Sequence, residues 1–209
     1  MNQPQPIICF EGPSGIGKTT LANGLSDDFH IVPEVNLLFE RKGNESEYWY
    51  NERQVDRYQL CRRSVKPSIL DGDIFQPIWY NWACGYPDNF LSRSKTHAFY
   101  RNQLERGQMA FPDLYFIFQA DVEELIRRKE GDATRTRRNF AKHLTIISPL
   151  QSFWNFLDQE TELQIHFIDY QEVETTQKEV LTCIDDHTPK AIDQLKLMKQ
   201  IEAWLKSRP

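Results

Sequence analysis

Long apolar runs are missing from this 209-residue chain: no stretch approaches the ~20 residues that a bilayer span requires. A basic and then apolar leader is missing as well. Together these absences predict a soluble, unprocessed protein that meets no membrane, with the cytoplasm as its default location. Cysteine is sparse, and Cys9, Cys61, Cys84 and Cys183 stand far apart with no C-x-x-C pair. That spacing argues against a zinc site or a disulfide framework and predicts reduced thiols. There is no excess of positive charge either, with 25 Lys and Arg against 30 Asp and Glu and a net charge of −5. Such a surface offers nucleic acid no broad electrostatic attraction. Repeats, low-complexity tracts and linkers are also absent. At 40% hydrophobic residues, the length predicts one domain over 1–209 with a sizeable core.

What is present alternates. Strand-like runs at Ile7–Phe10, Phe29–Pro33, Ser68–Leu70, Leu114–Phe118 and Leu163–Ile168 are separated by helical stretches, which predicts a five-stranded parallel sheet wrapped by helices. Glu47–Arg63 has helical length, and Pro67 forces the chain extended after it. Arg93–Gly107 reads as a helix closed by its glycine. Two further helical patterns fill Thr175–Arg208, split near Pro189. In the second, Ile192, Leu195, Met198, Ile201, Ala203 and Leu205 fall mostly on one face, so it is expected to dock on the body.

The most informative segment follows the first strand. Gly12-Pro13-Ser14-Gly15-Ile16-Gly17-Lys18-Thr19 matches G-x-x-x-x-G-K-[ST], the phosphate-binding loop, and Thr20 continues into a helix expected to Leu25. The glycines take backbone angles closed to other residues, so successive N–H groups can turn inward around phosphates. Lys18 is placed to bridge the β and γ phosphates, and the Thr19 hydroxyl to ligate Mg²⁺. The expected fold is therefore an α/β, three-layer P-loop sandwich, and the expected cofactors are ATP and Mg²⁺. A GTP switch would carry a guanine-reading Asn-Lys-x-Asp, which this sequence lacks. A motor or transport ATPase would need more coupling motifs. The small kinases remain.

Such a kinase needs a base, an acidic group for the metal and cations over the phosphates. Glu34 ends the second strand, where the carboxyl edge of a parallel sheet faces the ligand crevice, and it can accept a proton from an attacking hydroxyl. Asp71 in Asp71-Gly72-Asp73 ends the third strand beside the loop and suits Mg²⁺. Asp73 either points at the acceptor or shapes the turn. The basic run from Ile126 to Arg138 is expected to form a mobile lid at about 128–140, hinged at Gly131, with Arg128, Arg135 and Arg137 closing over the triphosphate and Arg138 as a substitute. Trp49, Tyr50, Tyr58, Phe75, Trp79, Tyr80 and Trp82 supply aromatic surface, a few of them for a ligand and the rest for the core.

The order of these features resembles the deoxynucleoside kinases and the wider nucleoside and nucleotide kinase superfamily, including thymidylate kinases. Gly12–Thr19, Val32-Pro33-Glu34, a helix with Gln54 and Arg57, the acidic triplet, Pro112-Asp113-Leu114 and an arginine-rich lid span residues 7–170. The resemblance implies transfer from ATP to a nucleoside-like hydroxyl, with Glu34 as general base for a sugar 5′-hydroxyl. It also implies Gln54 as reader of the base, Arg57 at the substrate and a homodimer as one assembly. One departure stands out. The family usually shows Glu-Arg-Ser where this chain has Asp71-Gly72-Asp73, and thymidylate kinases put Asp-Arg nearby. Glu34, Asp71 and Asp73 without that arginine would repel a phosphorylated acceptor, so a neutral or cationic alcohol fits better. The alternatives are an antibiotic or other non-nucleoside alcohol, a nucleoside monophosphate, or a regulatory module that binds ATP without turning it over.

Overall fold

The computed structural model describes residues 5–87, 90–131 and 140–208. Its centre is a five-stranded parallel sheet built from β1 (Ile7–Glu11), β2 (His30–Val32), β3 (Ser68–Asp71), β4 (Leu114–Gln119) and β5 (Ile165–Asp169), in the order β2-β3-β1-β4-β5. Every residue of β1 is buried, as a central strand covered on both faces must be. Its alternation separates two cores. Ile7 and Cys9 join one with Trp79, Trp154 and Trp204, whereas Ile8 and Phe10 join the other with Leu21, Phe116 and Val180. Helices thus cover both faces of the sheet, and the three-layer α/β expectation holds. β1 is also where the chain changes direction across the sheet, with β3 on one flank and β4 on the other. Ligands of open parallel sheets bind beyond the carboxyl ends of the strands at such a point.

The helices are α1 (Lys18–Asn23), α2 (Val35–Leu38), α3 (Trp49–Arg63), α4 (Gln76–Ala83), α5 (Arg93–Glu105), α6 (Val122–Gly131), α7 (Phe140–Thr145), α8 (Ile147–Glu160), α9 (Val173–Asp185) and α10 (Gln194–Lys206). All five expected strands appear within a few residues. α3 begins at Trp49 rather than Glu47, and α5 stops just before Gly107, whose φ of +64° takes the chain out of the helix. The last helix docks on the body as expected: Met198, Ile201 and Leu205 are buried, and Trp204 stacks on Phe156 with centroids 5.0 Å apart. Ala203 is exposed, and Trp204 beside it covers the core instead.

Residues up to Gly131 belong to α6, so Arg128 sits on a helix rather than a loop; Gly131 is the last residue of that helix, and the rest of the expected lid, from 132 to 139, lies outside the described residues. Glu123 and Glu124 in the first turn and Arg128 and Lys129 in the last complement the helix dipole, which stabilises the segment the basic run had marked as lid. Arg135, Arg137 and Arg138 lie outside the described residues. No helix among the described residues is long and apolar enough to cross a membrane. All four cysteines are free thiols.

Candidate active site

The loop after β1 follows from its glycines. Gly12, Gly15 and Gly17 have φ of +146°, +94° and +114°. A Cβ on Gly12 would lie 2.5 Å from the Phe118 carbonyl oxygen, and one on Gly17 would lie 2.5 Å from the Tyr170 hydroxyl. Positive φ and contact with β4 and the end of β5 both exclude a side chain there. Lys18 folds back over the loop and donates from Nζ to the carbonyls of Gly12, at 2.6 Å, and Pro13, at 3.3 Å. A phosphate can replace those two acceptors.

Parallel pairing of β1 with β3, with Phe10 opposite Asp71, carries the acidic triplet next to this loop. The Thr19 hydroxyl donates to Asp71 Oδ2 at 2.7 Å, while Asp71 Oδ1 is buried with no partner. A buried carboxylate oxygen left unsatisfied beside a hydroxyl fits a divalent cation. Among the described residues no three His, Cys, Asp or Glu side chains converge on a metal position, so Mg²⁺ here would draw its other ligands from phosphate and water.

A residue that sequence reasoning missed binds these parts together. Glu11, 5% exposed at the end of β1, accepts from the Gly12 N–H through Oε1 at 2.8 Å and from the Asp73 N–H through Oε2 at 2.9 Å. One carboxylate thereby ties the phosphate loop to the acidic turn. Burial pushes its pKa from 4.5 up to about 7, against the pull of Lys18 and the two N–H groups. Its position directly before Gly12 was the available signal.

Arg57 works from the other side. Fully buried on α3, it donates through Nη2 to the carbonyls of Asp71, at 2.8 Å, and Gly72, at 2.9 Å, and through Nη1 to Gln54 Oε1 at 2.7 Å. Gln54 and Arg57 therefore hold the turn from behind, and neither lines the cavity described next. Asp73 is also turned inward, accepting from Trp79 Nε1 at 2.8 Å, from the Phe75 N–H at 3.1 Å and from the Tyr115 hydroxyl at 3.3 Å. Burial raises its pKa. Of the two roles open to Asp73, the turn is the one this geometry serves.

In front of the loop opens a cavity of about 1050 Å³. Gly12, Pro13, Ser14 and Lys18 form one end, and Glu11, Gly72 and Glu34 form the adjoining wall. Thr19 and Asp71 lie just behind that surface, one residue from Lys18 and Gly72. Glu34, at the start of α2, is exposed. Gly72 has φ +86°, and the point where its Cβ would sit is 3.9 Å from Glu11 Oε2 and 4.0 Å from Glu34 Oε1. The rest of the wall includes the aromatic and amide side chains Trp49, Tyr50, Trp79, Tyr80, Phe90 and Trp154, with Asn51, Gln76, Asn81 and Gln151, together with aliphatic groups and the carboxylates Glu47, Asp121, Glu124 and Asp169. Tyr58, Phe75 and Trp82 belong to the core side instead. Polar groups of the wall form two pairs, Tyr50 donating to Gln76 Oε1 at 2.8 Å and the Tyr80 hydroxyl meeting His143 Nε2 at 3.0 Å. Arg41, which sequence reading passed over, lines the same cavity with its guanidinium 4.4 Å from the centre of the Trp49 ring.

Arg128 reaches the loop from α6. Nη1 donates to the Ile16 carbonyl at 3.0 Å, Nε pairs with Glu124, and the guanidinium lies 4.7 Å from the Tyr170 ring centre. It is fixed at the loop's outer side.

No family model and no curated protein matches the sequence. Solved structures match its shape. A thymidylate kinase from Candida albicans superposes with a TM-score of 0.60 at 16% identity, over 89% of this chain and 93% of its own. A deoxyadenosine kinase from M. mycoides, with dCMP and dCDP bound, does so at 0.60 and 13%, over 87% of this chain and all of its own. The fold is that of the nucleoside and nucleotide kinases. A thymidylate kinase from Ehrlichia chaffeensis, at 0.51 and 18%, has the same arrangement over 87% of this chain. At such identities the likeness speaks for the fold, and the chemistry has to be argued from this chain's own residues.

Proposed function

We propose that this protein is a kinase that moves the terminal phosphoryl group of ATP onto a hydroxyl of a small nucleoside-like molecule. The observation that carries the reading is that the phosphate loop and Glu34 open into one cavity, wide enough for donor and acceptor together. The loop from Gly12 to Thr20 wraps the triphosphate, its N–H donors coming from the residues after Pro13 because proline has none and the Gly12 N–H is held by Glu11, and Lys18 exchanges its two carbonyl partners for phosphate oxygens. Thr19 and Asp71 would hold Mg²⁺, which neutralises charge on the phosphates when bound. Glu34 takes the proton of the acceptor hydroxyl; its oxygen bonds to the γ phosphorus as the bond to the β-phosphate oxygen breaks, leaving ADP. Arg128 holds the loop in shape, and Arg135 and Arg137 are assigned to phosphate closure. Flat aromatic rings opposite an acidic end suit a sugar hydroxyl carried on a planar ring.

Glu11 and Glu34 flank the point above Gly72, where no side chain intervenes. The Glu34 carboxylate disfavours a phosphorylated acceptor there; Asp73 is turned inward, and Glu11, its pKa raised to about 7, adds a full negative charge only above that pH. Arg41 favours a second reading, in which a nucleoside monophosphate puts its phosphate against the guanidinium. ADP release from Mg-ATP separates the two, measured over nucleosides, nucleoside monophosphates and aminoglycoside-type alcohols with Lys18→Ala as blank. Stimulation by a nucleoside is expected. Stimulation only by a monophosphate supports the second reading, stimulation only by another alcohol moves the acceptor class, and ATP binding with no stimulation by any of them leaves a regulatory module.

A further inference from the structure

Asn51 stands on α3 in the cavity wall, is 3% exposed, and leaves its Nδ2 buried with no hydrogen-bond partner. Buried amide donors are nearly always paired, because losing water without gaining a partner is costly. Its neighbours in the wall show the contrast, since Tyr50 is satisfied by Gln76 and Tyr80 by His143. The other two amides on this helix have partners, Gln54 accepting from Arg57 and Gln59 donating to the Gln108 carbonyl. We propose that Asn51 reads the acceptor, donating from Nδ2 to a carbonyl oxygen or imine nitrogen on the acceptor's ring.

This inference rests on the nucleoside-like reading above and narrows it to ligands with a hydrogen-bond-accepting ring atom. The side-chain χ2 torsion of asparagine is broad, so the amide turns toward a ligand at little cost. Trp49 and Tyr50 precede it and line the same cavity, so a flat ring lying against the aromatic wall presents its edge, where such atoms are, to the polar groups. A site that hydrogen-bonds its ligand rejects an analogue lacking the atom more strongly than an apolar pocket rejects an extra methylene.

The probes are thymidine, deoxycytidine, deoxyadenosine and deoxyguanosine, with binding followed by quenching of tryptophan fluorescence. For the tightest binder, Asn51→Ala and Asn51→Asp are each expected to weaken binding at least tenfold while the Kd for ATP stays within twofold. The thermal midpoint of Asn51→Ala is expected not to fall, because Nδ2 has no partner to lose. A residue with only a structural role would give the reverse, a lower midpoint with unchanged nucleoside affinity. Less than tenfold weakening in both variants overturns the proposal while the kinase reading stands. Binding of none of the four by the unmodified protein overturns the nucleoside-like acceptor and this inference together. Should Asn51→Ala fail to fold, the near-isosteric Asn51→Asp decides alone.

Discussion

Glu11 makes stability depend on pH in a window that one substitution can remove. Its carboxyl is buried between two backbone N–H groups, and its pKa stands at about 7 against an ordinary 4.5. At about 1.4 kcal/mol per pH unit, ionising it in the folded protein costs about 3 kcal/mol relative to the unfolded chain. The folded state holds this proton where the unfolded state has released it, so stability falls as pH rises from 4.5 through 7. Below 4.5 both states are protonated and the effect vanishes; above 7 it is complete. Glu11→Gln has nearly the same shape and removes the titration, but its amide nitrogen cannot accept the second of the two N–H groups, so it loses a constant amount at every pH. Urea unfolding of both proteins at pH 4.5, 6, 7 and 8 is therefore expected to show the variant's stability relative to the parent rising by about 3 kcal/mol from the acid end to pH 8. In thermal unfolding that difference is roughly 5–10 °C for a chain of this size. Asp73, whose pKa burial also raises, is present in both proteins and largely cancels in the difference. A stability difference that stays constant within about 0.5 kcal/mol over the whole range would refute the reasoning, because the two N–H groups would then be holding a carboxylate that is ionised throughout.

Lys18→Ala is expected to lower turnover by about 10³-fold, as losing a charge stabiliser does, while unfolding shifts by less than about 1 kcal/mol because its two bonds go to loop carbonyls; single-turnover kinetics and denaturation check both. Glu34→Gln is expected to cut kcat by about 10²–10⁴-fold with the Kd for ATP and the thermal midpoint unchanged, and an unchanged rate would remove Glu34 as base. Arg57→Leu strips the Asp71 and Gly72 carbonyls of their donor in the interior, so a loss of about 3 kcal/mol in urea unfolding is expected. Gly17→Ala forces a Cβ against Tyr170 at positive φ and is expected to destabilise by about 1–3 kcal/mol and to weaken ATP binding, measured by calorimetry.

Much of the framework was legible because it rests on local rules. β1 and the phosphate loop were readable from an apolar run entering G-x-x-x-x-G-K-[ST], and Glu34 and Asp71 from their places at strand ends. What local pattern could not supply was which side chains the tertiary structure consumes. Gln54 and Arg57 stand as ligand readers by resemblance until the turn after β3 takes the guanidinium and Gln54 takes the other end of it. α4 went unread because its run of Trp and Tyr, with Pro77 at its start, looked like pocket lining; Trp79 does line the cavity but also ties down Asp73. The start of the basic run is helical for a similar reason: Glu124, four residues before Arg128, gives that stretch an internal ion pair. Asn51 carried no motif at all and Glu11 only its place before Gly12, so burial and partner accounting bring their roles out.

The acidic triplet shows how an unusual sequence becomes a coherent site. Its backbone is clamped at every residue: Arg57 takes the carbonyls of Asp71 and Gly72, the Phe10 carbonyl accepts the Gly72 N–H at 2.9 Å, and Glu11 accepts the Asp73 N–H. Held this way the middle residue has φ +86°, which glycine adopts freely and a side-chain-bearing residue adopts at a cost of order 1–3 kcal/mol. Restoring an arginine by Gly72→Arg would strain that clamp and push a guanidinium between Glu34 and Glu11. Pairing with Glu34 would occupy the proposed base, and in either pairing the guanidinium introduces the cation that a phosphorylated acceptor needs. The expected result is loss of nucleoside-stimulated ADP release and, if any stimulation survives, a shift of preference toward nucleoside monophosphates. Unchanged nucleoside turnover in Gly72→Arg would mean that the space above Gly72 is not where the acceptor hydroxyl meets Glu34.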